Sequence, residues 1–189
     1  MSATAAPYGM VPVATAGGYN TQGFETLPIA DAYATSIYFG DVVKTVAAGT
    51  IEKDTGTTAL TPTGIFVGCR YVNSQGQTVD AQSWPGGTTT GGTVTAKVVT
   101  DPTAVFKIQC AGSVTQAMVG ANADIVQTAG TAAIGKSRNA MATTTPSTSA
   151  TRPLRILGFL PIPENAVADA FTDVLVKFNI HQRTNTTGI

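Results

Sequence analysis

The stretch TDVLVKFNI, residues 172–180, decides the fold. Val174, Val176, Phe178 and Ile180 share one parity, while Asp173, Lys177, Asn179 and then His181 fall on the other. Successive side chains of an extended chain point to opposite faces, so this alternation predicts a half-buried β-strand. It also places His181, the only histidine, on the polar side, facing solvent or another chain.

The same period of two recurs upstream. In TVTAKVVTD (93–101) Val94, Ala96 and Val98 alternate with Thr95, Lys97 and Val99, and in TAVFKIQC (103–110) Ala104, Phe106, Ile108 and Cys110 alternate with Val105, Lys107 and Gln109. The intervening TDPT carries Asp and Pro suited to a tight reversal, so the pair reads as a hairpin. PLRILGFLPI (153–162) is apolar on both parities. That predicts a central strand of a closed sheet, or one whose outer face another chain covers, with Leu157 and Phe159 shielded in either case.

Between these runs lie DTGTTALTPTG (54–64), WPGGTTTGGT (84–93) and TTTPSTSATRP (143–153), whose composition is that of loops. The one helix candidate, TQAMVGANAD (115–124), has room for a turn or two between a Thr115 cap and Gly120. Many short strands with Gly- and Pro-rich connections predict an all-β chain: a single small β-barrel or β-sandwich domain over 36–189 with long Gly/Thr-rich loops. Residues 1–35 lack clear alternation and read as an extended N-terminal arm. Tyr8, Met10, Val11 and Val13 are its expected anchors on a neighbouring subunit.

Composition narrows the functions. The 189 residues suit one domain, or one domain with an arm. Charged residues make up 12%, and eleven basic side chains balance eleven acidic ones without clustering. No electropositive patch is expected to draw in nucleic acid or anionic lipid. Little electrostatic repulsion keeps copies apart, as befits a protein packed against neighbours. The first 24 residues carry no charge, so no secretory signal is expected. No run of about 18 apolar residues predicts a membrane-spanning helix.

Residues 130–137, GTAAIGKS, match the phosphate-binding pattern G-x-x-x-x-G-K-[ST]. Such a loop works only where a strand delivers it into a helix whose free N–H groups hold the phosphates. The following RNAMATTTPSTSATRP has no helical periodicity and two prolines. The stretch therefore reads as a hairpin turn, with Gly130 and Gly135 expected at positive φ. Asp31, Asp41, Glu52 and Asp54 sit in turn-like settings and Asp80 lacks a clustered partner, so no acid–base pair is expected. Cys69 and Cys110 sit on apolar parities without metal-site spacing, so both read as buried free thiols. Trp84 and the five tyrosines could stack on sugars or bases, but packing or subunit contact is the expected role. No catalytic residue, cofactor or metal site is assigned.

Taken in order, APYGMVPV (6–13), ATSIYFGDVVK (34–44), GIFVGCRYVNSQG (64–76), SWPGG (83–87), DPTAVFKIQ (101–109), GANADIV (120–126) and LRILGFLP (154–161) resemble a family of tailed-phage virion structural proteins, the capsid decoration or cement proteins. The resemblance covers about residues 6–162. It implies a non-enzymatic component of the capsid surface, made in the host cytoplasm. Its partners would be the major capsid protein and copies of itself, with a trimer as one closed form. It transfers no catalytic residue. In the family the segment after NADIV is similar to a variable hairpin, in keeping with a turn at 130–137. A tail or fibre component, or a carbohydrate-binding surface module built on Trp84, is the competing expectation.

Overall fold

In the computed structural model of the chain, which describes residues 4–15, 23–87 and 94–185, the short apolar runs form strands. They are β1 (Val11–Thr15), β2 (Glu25–Ile29), β3 (Ile37–Tyr38), β4 (Val42–Thr45), β5 (Ile51–Lys53), β6 (Gly64–Val72), β7 (Thr78–Ala81), β8 (Ser83–Trp84), β9 (Val94–Val99), β10 (Ala104–Gln109), β11 (Asn122–Ala123), β12 (Ile125–Val126), β13 (Ala140–Met141), β14 (Leu154–Phe159) and β15 (Asp173–Phe178). Strands β4, β5, β2, β9 and β6 hydrogen-bond in a ring, and β6 pairs back onto β4. The result is a closed five-stranded barrel with β7 appended to β6. A separate sheet runs β1-β10-β15-β14-β11. The expected all-β class holds: the helical content of the described residues is two single 3₁₀ turns, Gln116–Met118 and Gln182–Thr184.

Two apolar cores follow from the pleat. Ile29, Val43, Ile51, Phe66, Cys69, Trp84, Ala96 and Val98 fill the barrel. Val42, Ile65 and Val99 pack with Phe106, Ile108, Leu154, Ile156, Val174 and Val176 between barrel and sheet. The adjacent pairs Val42/Val43, Ile65/Phe66 and Val98/Val99 each send one side chain into each core. A strand buried on both faces cannot show polar alternation. Cys69 lies in one core and Cys110 in the other, both as free thiols. Burial, with Asp80 adding and Lys97 opposing, pushes the Cys69 thiol up to about 12.

The segments 94–99 and 104–109 are not a hairpin: β9 pairs with β2 and β6, whereas β10 pairs with β1 and β15. The 100–103 turn, in which Thr103 N–H donates to Asp101 Oδ1 at 2.7 Å, carries the chain from barrel to open sheet. Residues 1–35 do not form an arm in the described part. β1 pairs with β10, and β2 is a barrel strand. Pro12, a register shift between Pro12 and Ala14, and Pro28 hide the strand pattern there. The strand at 154–159 is not in the barrel, and it alternates through Ile156: Leu154 and Ile156 are buried, Arg155 and Leu157 exposed. A register shift between Ile156 and Gly158 returns Phe159 to the core side.

His181 is buried, not on the surface, because β15 ends at Phe178 and the parity count fails beyond it. Its ring lies 5.9 Å from that of Phe178, and Nδ1 accepts from the Arg183 N–H.

Candidate interaction surface

The N-terminal segment is stitched along its own domain. Ala6 N–H donates to Gln109 Oε1 (2.8 Å), Gly9 N–H to the Asn139 carbonyl (3.1 Å) and Met10 N–H to the Gly40 carbonyl (3.0 Å). Met10 is fully buried in the core between barrel and sheet, so it anchors the chain to itself. Tyr8 stands half-buried with its hydroxyl donating to Asp173 Oδ1 at 2.9 Å. Burial, the Asp173 charge and this hydrogen bond all raise its pKa, so the phenol is neutral. Val11 and Val13 are half-buried on β1.

Three cavities follow this segment. One, about 440 Å³, is lined by Ala5, Pro7, Tyr8, Ile134, Lys136 and Arg138 among others. The next, about 450 Å³, shares Tyr8 and Lys136 with it and adds Val11, Phe39, Gln82 and Lys107. The third, about 290 Å³, shares Val11 and Phe39 and adds Pro12, Phe24, Val67 and Val99. Shared walls make them one groove, apolar at the Phe24 end and cationic at the Lys136 end. Ile134 and Phe24 stand 64% and 55% exposed, at opposite ends. Lys107, Lys136 and Arg138 have no ion-pair partner among the described residues, and the Lys107 ammonium lies 5.8 Å from the Tyr8 ring centroid. The arrangement suits an extended segment that is apolar at one end and acidic at the other.

GTAAIGKS is a turn. Thr131 bridges Lys136, Gly135 sits at φ +69°, and no helix follows. Gly130 does not have positive φ, contrary to expectation; it is glycine because a Cβ there would overlap the Tyr38 ring. Lys136 is thus a groove wall without a phosphate cradle.

The other expected contact residues scatter. Trp84 is fully buried inside the barrel, its Nε1–H donating to the Tyr33 carbonyl at 3.0 Å and its ring edge-on to Tyr71. It offers no face to a sugar or a partner. Leu157 is 39% exposed, and Phe159 is half-buried against the core. Sequence reading missed Phe24, Ile134, Lys107 and Arg138, whose only local signal is an apolar or cationic residue in a polar setting. Among the described residues no three or more His, Cys, Asp or Glu side chains are placed to hold a metal ion, and no helix is long and apolar enough to cross a membrane.

Compared with protein-family models, with curated proteins and with solved structures, the chain matches none.

Proposed function

We propose that the chain is a non-enzymatic structural protein of a tailed-phage virion. In this reading it decorates the head shell and stabilises it through contacts with the major capsid protein and with copies of itself. The groove along residues 5–12 carries the reading. Its exposed Ile134 and Phe24 are apolar side chains left in water, and Lys107, Lys136 and Arg138, unpaired among the described residues, give the same groove a positive end, so a neighbour offering apolar side chains and carboxylates complements both. The ordered resemblance of residues 6–162 points the same way. Nucleic acid and membrane have no part in this role.

The test is re-addition of purified protein to shells of its own phage that lack it, followed by sedimentation and imaging of the particle. Wild-type protein is expected on the shell surface, and the double substitution Lys107→Glu/Lys136→Glu is expected to lose occupancy while its circular dichroism is unchanged. Equal occupancy by both, or no occupancy, overturns the reading. Density on the tail or fibres would assign the chain there instead.

A further inference from the structure

Asp41 and Lys53 project into one end of the barrel, on the parities of Val43 and Ile51. The segment between Thr128 and Asn139 covers that end, held by a parallel bridge between Phe39 and Lys136 and by the Ser137 N–H donating to the Phe39 carbonyl. Asp41 is fully buried and touches three nitrogens: Lys53 Nζ lies 2.9 Å from its Oδ2, the Tyr38 N–H donates to the same oxygen at 2.9 Å, and Asn139 Nδ2 donates to its Oδ1 at 3.3 Å. The Lys53 side chain is only 11% exposed, with the Tyr38 ring 6.0 Å from its ammonium, and Asn139 is fully buried. Asn139 Oδ1 accepts the Thr128 N–H at 3.1 Å.

A buried ion pair brings little net stability over apolar packing of the same volume. This one has a nucleophile, a carboxylate and a polarised carboxamide in contact in sequence. We propose that Lys53 and Asn139 join through an isopeptide bond, with Asp41 as the acid–base. The Lys53 ammonium gives a proton to the Asp41 carboxylate. The freed amine crosses from one oxygen of that carboxylate to the carboxamide carbon beside the other and forms the Nζ–Cγ bond. The Thr128 N–H steadies the charge that develops on Oδ1, as an oxyanion-hole donor does. The Cγ–Nδ2 bond breaks, the leaving nitrogen takes the Asp41 proton and the one lost by Nζ, and ammonium departs. Lysine ammonium plus carboxamide becomes amide plus ammonium, so charge and atoms balance without oxidant or co-reactant. The bond would tie β5 of the barrel to the segment that enters β13, whose Met141 bridges Cys110 beside the open sheet.

The inference is independent of any shell. Intact-mass measurement of the full-length chain under denaturing conditions tests it, fresh and after prolonged incubation. Wild type is expected to be lighter by one ammonia than its sequence, and a proteolytic digest is expected to contain a branched peptide linking Lys53 and Asn139. Lys53→Arg and Asp41→Ala are expected at full sequence mass. Wild-type chain that stays at full mass, or an ammonia loss mapped to another site, overturns the proposal even if the variants fail to fold.

Discussion

Replacing Trp84 with alanine tests whether this side chain is core or contact. The indole is fully buried among Ile37, Phe66 and Tyr71 in the barrel. Truncation to alanine removes on the order of 150 Å² of buried apolar surface, worth about 4 kcal/mol at about 25 cal/mol per Å². The lost indole hydrogen bond adds little, because the Tyr33 carbonyl keeps the Gly87 N–H at 2.8 Å. A domain stable by roughly 5–15 kcal/mol would lose a large fraction of its margin. The urea midpoint should fall by roughly 2 M if the slope is about 2 kcal/mol per M. Trp84 is the only tryptophan, so unfolding must be followed by far-ultraviolet circular dichroism instead of fluorescence. Trp84→Phe, which keeps a ring against Tyr71, should lose less than half as much. A loss below about 1 kcal/mol for Trp84→Ala, with an unchanged slope, would refute the reasoning and return Trp84 to the surface.

Gly130→Ala should destabilise the fold by roughly 1–3 kcal/mol, because the new Cβ must displace the Tyr38 ring, whereas Lys136→Ala should stay within about 0.5 kcal/mol. Equal effects in urea denaturation would mean that the 130–137 turn is not packed on Tyr38. Burial first, then the Arg183 charge, lowers the pKa of His181 below its ordinary 6.5, with the Thr63 carbonyl and Asp101 opposing. The unfolded chain therefore binds this proton more readily than the folded one. The stability carried by the neutral ring is present above about pH 6.5 and is lost as the pH falls through the lower folded value. His181→Gln should flatten the fall in urea midpoint just below pH 6.5; a variant as acid-sensitive there as wild type would show that other groups set the slope.

The strands at 94–99, 104–109 and 173–178 were legible because each has at least one face whose alternation follows the pleat. Their partners were not. A short turn between two strands looks the same whether they pair with each other or, as at 100–103, enter different sheets, since pairing depends on which distant edges are free. The strand at 11–15 was lost behind Pro12 and a register shift, and what looked like an arm includes an edge strand, with Met10 just before it filling the core. The end of a strand is equally silent: nothing in FNIHQ marks that the pleat stops at Phe178, and so His181 was placed on the wrong side.

The groove was illegible for a related reason. Its walls come from residues 5–8, 11, 12, 24, 39, 67, 82, 99, 107, 131, 134 and 136–138, and Tyr8 meets Asp173 across 165 positions of sequence. Counting charge along the chain showed eleven scattered cations and no patch. Folding pairs Lys53, Arg70, Lys97, Arg152 and Arg183 with carboxylates, and so concentrates what is left. Three of the remaining cations come from β10 and the 130–138 turn and converge on Tyr8. A neutral sequence thus acquires a polar direction through which charges its own fold neutralises, and this leaves Lys136, without a phosphate cradle, on the cationic wall of the groove.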